Sequence, residues 1–279
     1  MKEFLKKHIP KSAWEFARTA YFSVADFIAN LGPAVRSRKY SGISLYYNKG
    51  NAIVRRLKRE PVFEMELCDG IVAELQKKEN PVFLDVGANI GLISFATKSK
   101  VSDVQIFAFE PGMMQRELLN LSVEKNAVND LEIFPEALGD KAGETEFFIH
   151  DPKHAGTDGL MDTGRADGGK SVRVQIITLD EWAAREKINQ IDVIKIDTEG
   201  AELLVLKGGR ETILKYKPVI FLEIEPRNLK AYSYTHDDIL AWFIQNGYEL
   251  FTLKGSKIKQ ESLAAILEME DTFIAKPRV

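Results

Sequence analysis

Three short apolar runs of this 279-residue sequence each have an acidic residue at or next to their end. Asp85 comes just before a glycine turn, Glu110 directly follows the second run, and Asp197 directly follows the third. Open α/β sheets bind their ligands at the carboxyl ends of their strands, so we expect these carboxylates at such an edge. An acid about 20 residues beyond a glycine turn takes the ribose hydroxyls in nucleoside-binding sheets. The pattern therefore predicts a nucleoside site in which Glu110 binds the ribose.

The glycine turn indicates which nucleoside derivative fits. It reads Gly87-x-Asn89-x-Gly91, and its glycines permit a positive φ or a close approach of the backbone to a ligand. A dinucleotide fingerprint needs glycine at the position of Asn89, whose side chain crowds a pyrophosphate. Asp85 also repels phosphates and attracts an ammonium group. S-adenosylmethionine carries an ammonium group and no phosphate, so this turn favours S-adenosylmethionine over NAD.

A second acidic centre surrounds Asp197. Lys195 interrupts the third apolar run and must find an acid, because an unpaired buried ammonium group is costly. The crowded carboxylates offer a general base, a site for a divalent metal ion, or partners for Lys195. We favour Asp197 facing the methyl-donor pocket, with Glu199 positioning the substrate or held by Lys195. Glu223 joins this cluster on the substrate side, and no residue is assigned as a metal ligand.

A long glycine-rich loop runs from residue 150 to residue 169 between two alternating, strand-like runs. Loops of this length in compact domains are usually lids or binding loops, so we interpret it as a lid on the substrate side. Within it, His154 is a candidate general base toward a hydroxyl group, and Thr157 is a candidate substrate contact.

Apolar runs that alternate with helical patterns must position these residues. Five runs are typical of buried parallel strands, and two near the end of the chain are typical of an antiparallel pair: 82–86, 104–109, 131–135, 191–196, 219–225, 248–253 and 272–275. The order predicts an α/β fold, a Rossmann-like, doubly wound and mostly parallel seven-stranded sheet.

The composition is that of an ordinary globular protein, with 45% hydrophobic and 28% charged residues. A formal net charge of -3 gives no general attraction to nucleic acid, and the single cysteine excludes an intramolecular disulfide. No apolar run reaches the roughly 18 to 20 residues that span a bilayer, and no secretory signal is visible. We therefore expect a cytoplasmic protein.

Residues 1–60 differ from the rest of the chain. Apolar residues recur at helical spacing between Trp14 and Leu31, among many lysines and arginines. We expect an N-terminal helical, basic segment, followed by the main domain at residues 61–279. One interpretation is that this segment is a cap that packs on the sheet or on a second subunit. In the second case the protein would be a homodimer. The alternative is peripheral contact with an anionic membrane surface, which a basic amphipathic helix can make.

Four motifs stand in a fixed order along the chain: Asp85-Val86-Gly87-Ala88-Asn89-Ile90-Gly91, Phe109-Glu110-Pro111, Ala137-Leu138-Gly139-Asp140 and Lys195-Ile196-Asp197-Thr198-Glu199-Gly200-Ala201-Glu202. With this set the sequence resembles FkbM-type methyltransferases, over roughly Phe63 to Leu253. These are class I S-adenosylmethionine-dependent enzymes, and many of them O-methylate sugars of polysaccharides, glycolipids or natural products.

The resemblance implies the class I methyltransferase fold and methyl transfer to a hydroxyl group. It also implies that Glu136 and Ala137 lie at the adenine, and that Glu64 approaches the cofactor from the helix before the first core strand. The expected acceptor is a small molecule or a lipid-linked sugar. The alternatives are a non-catalytic nucleoside-binding scaffold and an NAD-dependent sugar oxidoreductase or epimerase. The turn at Asn89 and the lack of a Tyr-x-x-x-Lys pair speak against the oxidoreductase.

Overall fold

A seven-stranded sheet forms the centre of the computed structural model, which describes residues 35–60, 64–154 and 156–278. The strands are β1 (Val35–Tyr40), β2 (Ile43–Asn48), β3 (Val82–Val86), β4 (Gln105–Phe109), β5 (Leu131–Phe134), β6 (Ala137–Leu138), β7 (Gly143–Ile149), β8 (Lys170–Ile177), β9 (Val193–Ile196), β10 (Val219–Glu223), β11 (Tyr248–Thr252) and β12 (Thr272–Pro277). The helices are α1 (Ala52–Arg59), α2 (Met65–Leu75), α3 (Leu92–Lys100), α4 (Met113–Asn126), α5 (Leu179–Arg185), α6 (Glu202–Gly208), α7 (Arg210–Tyr216), α8 (Pro226–Leu229), α9 (His236–Gln245) and α10 (Gln260–Ile266).

The order of the strands in this sheet is β11-β12-β10-β9-β3-β4-β5. β10, β9, β3, β4 and β5 are parallel, and β12 pairs antiparallel with both β10 and β11. Val86 at the end of β3 pairs with Phe109 of β4 and with Ile196 of β9. The residues that follow these three strands therefore meet at one edge. The predicted Rossmann-like, mostly parallel seven-stranded fold is confirmed.

Apolar side chains cover both faces of the sheet. Because successive residues of a strand point to opposite faces, Phe83 and Leu84 enter two different hydrophobic clusters, and both are fully buried. On one face, the ring of Trp182 meets the rings of Phe107 and Phe109 edge-on, at centroid distances of 5.3 and 5.0 Å. Burial on both faces explains why β3 reads as a continuous apolar run rather than an alternating one.

A smaller sheet of β6, β8 and β7 stands beside the main one, and the long loop connects β7 to β8. β7 and β8 pair antiparallel along their whole length, as their alternating pattern predicts. The described part of the loop contains one short 3₁₀ helix, Pro152–His154. An isolated bridge between Phe148 and Gly159 folds the loop back onto β7.

The described part of the N-terminal segment is a β1–β2 hairpin followed by α1. The hairpin is fixed to α4, because Ser44 N donates to Asn126 Oδ1 and Tyr46 N donates to Ser122 Oγ, each over 2.9 Å. Leu45 of β2 is fully buried in the main core. The helix predicted between residues 14 and 31 lies outside the described residues, as does the membrane contact proposed for it.

Two helices begin directly after residues of the predicted site. α4 begins at Met113, and in the turn before it the Glu110 side chain accepts from Gly112 N. α2 begins at Met65, after Glu64 in a left-handed conformation. Within the described ranges, no helix combines the length and the apolar character needed to cross a membrane.

Candidate active site

A cavity of about 380 Å³ opens at the carboxyl edge of β3, β4 and β9. Its walls come from the glycine turn, the acid after β4, the residues after β5, the loop between β7 and β8, and the residues after β9. A second cavity of about 360 Å³ adjoins the first. The two share Arg56, Glu64, Lys195, Asp197 and Glu223 in their walls. This arrangement provides two connected binding spaces, one on the strand ends and one beside them.

The glycine turn presses against the end of β9. Gly87 has φ +78°, and a Cβ there would lie 1.9 Å from the carbonyl oxygen of Asp197, so only glycine fits. Asn89 is also left-handed, with φ +51°, and its side chain accepts from Ile90 N. Gly91 does not line either cavity. Its missing Cβ makes room for Leu119 and Phe95, so its contacts in the structure are packing contacts, and its predicted contact with the cofactor stays a prediction.

Glu110 lies in the cavity wall at the predicted place for a ribose acid and is only 5% exposed. Its Oε2 accepts from Asn89 N and its Oε1 accepts from Gly112 N, both over 2.7 Å. Burial raises the pKa of Glu110 to about 7, although the two backbone hydrogen bonds act in the opposite direction. Each oxygen keeps one lone pair for a ligand.

Asp85 lies near the carboxyl end of β3, as predicted, and its side chain pairs with Lys195. Its side chain is fully buried, accepts a 2.6 Å hydrogen bond from Ser94 Oγ, and forms an ion pair with Lys195 over 3.2 Å. It lines neither cavity, and its predicted contact with the ammonium group of the cofactor stays a prediction. The register of the sheet explains this pairing. Asp85 of β3 stands opposite Lys195 of the parallel strand β9, so the two side chains are neighbours.

Lys195 extends from β9 to the wall of both cavities. Its Nζ donates to Gly87 O over 2.9 Å and stands 3.4 Å from Asp197 Oδ2. Burial by itself lowers the pKa of Lys195, but the charges of Asp85 and Asp197 outweigh burial and the pKa is raised overall. The lysine is therefore a fixed cation that ties β3, the glycine turn and Asp197 together.

Glu199 is held by residues other than Lys195, which corrects one of the two expectations for it. Arg165 Nη1 donates to Glu199 Oε2 over 2.7 Å, and Asn228 Nδ2 donates to the same oxygen over 2.8 Å. Lys195 is already occupied by Asp85, Asp197 and Gly87 O. Burial and the charge of Asp197 raise the pKa of Glu199 well above that of an ordinary carboxyl group, although Arg165 lowers it.

Asp197, Glu199 and Glu223 come together where the two cavities meet. Carboxylate oxygens of the three residues lie within 4.8 Å of one another, a spacing that suits a hard divalent cation. Burial and the charges of Asp197 and Glu199 raise the pKa of Glu223 well above the usual value. The three carboxylates therefore form a site that can hold a proton or a cation.

The remaining predicted residues line the first cavity. Glu64 does so from the start of α2, and burial and the charge of Asp197 raise its pKa to about 7. Glu136 and Ala137 form the wall after β5, and Glu136 Oε1 is paired with Arg185 over 2.7 Å. Among the described residues, none donates a hydrogen bond to the buried Glu136 Oε2.

The loop between β7 and β8 contributes more than the sequence indicates. His154 and Thr157 line the cavity as expected, and Thr157 Oγ1 donates to His154 O over 2.9 Å. Arg165 and Asp158 line it as well. Their partners are distant in sequence, so no local pattern could reveal them. The buried Asn228, which completes the Glu199 site, belongs to the short helix α8 that follows β10.

Comparison with known proteins identifies the fold family. The family described as "Methyltransferase FkbM domain" matches residues 85–250, more than half of the chain. The chain belongs to the FkbM methyltransferase family. It is therefore an S-adenosylmethionine-dependent methyltransferase, as the motifs indicate, and the family assignment gives no support to the NAD-dependent alternative.

Relatives within and around the family have limited identity to this chain. The 2-O-methyltransferase NoeI of Sinorhizobium fredii is 27% identical over 187 residues, covering 61% of this chain and 74% of NoeI. The hexuronic acid methyltransferase AglP of Haloferax volcanii is 28% identical over 133 residues, covering 48% of this chain and 52% of AglP. The crystal structure of methyltransferase FkbM from Methylobacillus flagellatus KT aligns with a TM-score of 0.46 and 15% identity, over 70% of this chain and 43% of that one.

The residues of the first cavity fit S-adenosylmethionine. The missing side chain of Gly87 lets the turn pack against β9, Glu110 retains acceptor capacity for hydroxyl groups, and Glu136 Oε2 is a buried acceptor without a described donor. An adenine amino group and a ribose diol supply the donors that these atoms lack. Carboxylates of Asp197 and Glu64 provide the negative charge that a cationic cofactor needs.

Proposed function

We propose that this methyltransferase O-methylates a hydroxyl group of a sugar or a sugar-like acceptor. The observation that carries the proposal is the cluster of Asp197, Glu199 and Glu223 at the junction of the two cavities. A hydroxyl oxygen must lose its proton to accept a methyl group, and a carboxylate at the junction of donor and acceptor spaces can take it. The cluster supplies that carboxylate.

Each residue of the cluster has a proposed part. Glu199 takes the proton at Oε1, while Arg165 and Asn228 hold Oε2 and fix the orientation of the carboxylate. Asp197, anchored by Lys195, faces the positive charge of the cofactor, and Glu64 provides the second negative charge. S-adenosylmethionine supplies an activated methyl group, so the chain itself needs only to align the acceptor and to accept its proton.

The adjoining cavity is the proposed space for the acceptor. Its apolar floor includes Phe221 and Leu253, and Glu223 stands at its entrance from the donor side. His154 and Thr157 border the first cavity from the loop and remain candidates for contact with the acceptor. The name of NoeI, a 2-O-methyltransferase, supports transfer to oxygen, and the name of AglP, a hexuronic acid methyltransferase, supports a sugar acceptor. The proposal includes free and lipid-linked sugars alike.

The test is an assay of the purified protein with S-adenosylmethionine and a panel of free, amino-, uronic and lipid-linked sugars. The readout is product mass together with the NMR position of the new methyl group. We expect an O-methyl product with wild type. Glu199→Gln should bind the cofactor but form the product about 10²- to 10⁴-fold more slowly. Asp197→Asn should lose affinity for the cofactor as well as product formation. A parallel series with EDTA decides whether the three carboxylates act with a metal ion. Methylation confined to nitrogen or carbon, or cofactor binding with no methylated hydroxyl in any acceptor, contradicts the proposal.

A further inference from the structure

Asp158 stands in the middle of the long loop and lines the cofactor cavity, although no motif points to it. Its side chain is 6% exposed. Both carboxylate oxygens have protein partners: Oδ1 accepts from His150 N over 2.7 Å and faces His150 Nδ1 at 3.2 Å, and Oδ2 accepts from Gln115 Nε2 over 2.5 Å. The loop is thus fixed to α4 through one acid.

The same glutamine lies close to the ribose acid. A Cβ on Gly112 would lie 2.7 Å from Glu110 Oε1 and 2.8 Å from Gln115 Oε1, so the ends of Glu110 and Gln115 meet around this glycine. The Nε2 atom of the same amide group donates to Asp158 Oδ2. Glu110 and Asp158 therefore stand close together in the same cavity wall, and Asp158 contributes to the raised pKa of Glu110.

The count of hydrogen bonds shows what the two acids can still bind. A carboxylate has about four acceptor sites. Glu110 uses two of its own for backbone amides, and Asp158 uses three for His150 and Gln115. Three acceptor sites remain, two on Glu110 and one on Asp158 Oδ2. The two hydroxyl groups of a ribose diol can donate to these sites, because every free position on a carboxylate is an acceptor.

We propose that Asp158 is a second ribose-binding acid, which shares the 2′,3′-diol of the cofactor with Glu110 and so closes the loop over the nucleoside. The proposal rests on Glu110 as the ribose acid. It assigns the loop to the donor side of the cavity as well as to the acceptor, in contrast to the substrate-side lid that the sequence predicts.

His150 acts through Asp158 and is a positioning residue. Its ring is 1% exposed, and Nδ1–H must point to Asp158 because a carboxylate can only accept. A Cβ on Gly169 would lie 2.7 Å from His150 Nε2, so the far end of the loop packs against the other side of the ring. His150 therefore holds both the start and the end of the loop, and orients the acid between them.

The decisive measurement is calorimetric titration with S-adenosylhomocysteine, adenosine and their 2′-deoxy and 3′-deoxy analogues. For Asp158→Asn we expect about tenfold weaker binding of both ribonucleosides, as is usual for loss of a charged hydrogen bond. The loss should be much smaller for at least one deoxy analogue, because that ligand lacks the hydroxyl that Asp158 accepts. The matched control is Asp162→Asn in the same loop, since Asp162 is exposed and outside the cavity wall, and this change should leave binding as in wild type.

Several variants keep the test decisive if Asp158→Asn folds poorly. Gln115→Met removes one donor to Asp158 without altering the cavity wall and should reduce the preference for ribose over deoxyribose. His150→Leu should also reduce this preference. His150→Asn keeps a side-chain N–H and should retain the preference. Glu110→Gln reports separately on the ribose site: if it leaves the preference intact, the ribose assignment itself fails. Suppose that Glu110→Gln lowers the preference for ribose over deoxyribose. If Asp158→Asn then weakens ribose and deoxyribose ligands equally, or weakens neither of them, Asp158 is not a ribose ligand.

Discussion

At the scale of single residues, Lys195 shows how a buried charge organises the site. Its ammonium group has Gly87 O, Asp85 and Asp197 around it, within 2.9 to 3.4 Å. Asp85 is fully buried, so its negative charge depends on this one cation and on Ser94. The ion pair therefore holds two neighbouring strands and the turn in one arrangement, and its loss should be felt in the whole fold.

Replacement of Lys195 by methionine tests this role, because the change keeps the aliphatic stem and removes the charge. Breaking a buried ion pair from one side costs about 3–5 kcal/mol, and we expect the free energy of unfolding in urea to fall by about that amount. Lys100→Met is the matched control: its pair with Asp69 is exposed, so the loss should be below about 1 kcal/mol. Equal losses in the two variants would show that the buried pair has no special weight.

Glu199 is the residue for which pH matters most in the proposed reaction. Its pKa lies well above that of an ordinary carboxyl group, so the ionised form that can take a proton is formed only as the pH rises. We expect kcat to rise with pH across and beyond neutrality, and Glu199→Gln to lower kcat by about 10²- to 10⁴-fold.

The control for this prediction is Glu225→Gln, because Glu225 is close in the fold but lies outside both cavities and pairs with Arg227. Its kcat and pH profile should match wild type. A Glu199→Gln enzyme with the wild-type pH profile would move the role of base to another residue, with His154 as the next candidate.

The sequence predicts the positions of these acids better than their partners. Glu110 and Asp197 lie at the predicted edge because strand ends follow from local apolar patterns. The partner of Glu199 is Arg165, 34 residues earlier in a loop without periodicity, and only the folded chain brings the two together. The partner of Asp85 was out of reach for a related reason: its contact with Lys195 depends on which strand lies next to β3, and a single sequence does not state strand order.

At the scale of elements, the glycine turn after β3 is the narrowest point of the site. Gly87→Ala should destabilise the fold strongly and abolish cofactor binding, because the new Cβ would lie 1.9 Å from the Asp197 carbonyl and φ is +78°. Gly42→Ala separates the two causes: Gly42 has φ +85° with no atom within 4 Å of the added Cβ, so only the strain of about 1–2 kcal/mol applies. Thermal unfolding and calorimetry would check both. Similar behaviour of the two variants would mean that the clash at Gly87 is relieved.

The loop between β7 and β8 is an element that several contacts hold closed. Arg165 fixes its later part to Glu199 and Asn228, where its Nη1 stands 3.1 Å from Asn228 Oδ1. Arg165→Ala should raise the KM for the acceptor and increase hydrogen exchange between residues 156 and 169. Arg173→Ala is the control, since Arg173 lies on exposed β8 and pairs with Glu144 at the surface. Unchanged exchange in Arg165→Ala would show that the other contacts suffice.

The regular elements of the main sheet follow from the sequence, and the exceptions have physical reasons. β3, β9 and β10 are apolar because both faces are buried, which makes them easy to find. α1 was not predicted, because its eight residues contain several arginines and lysines and its burial rests on Val54 and Leu57 alone. Such a short helix depends on packing against the core rather than on its own propensity.

At the scale of the whole molecule, the site brings several carboxyl groups into the interior. Burial raises the pKa of Glu64 and of Glu110 to about 7, and Glu199 shifts in the same direction. A carboxyl group whose pKa is higher in the folded than in the unfolded state binds its proton more tightly when folded. Its contribution to stability is complete below pH about 4.5 and is lost as the pH rises to about 7.

The cofactor-free protein should therefore lose stability between pH 5 and pH 8, and substitution of these acids should reduce the loss. Because one pKa unit corresponds to about 1.4 kcal/mol, we expect Glu64→Gln or Glu110→Gln to flatten the difference between the two pH values by about 1–3 kcal/mol. Glu79→Gln is the matched control, since Glu79 is exposed and lines neither cavity. Urea titrations at both pH values decide the matter. If wild type is more stable at pH 8, or if Glu79→Gln flattens the difference as much as Glu110→Gln, the cavity acids do not govern the pH dependence of folding.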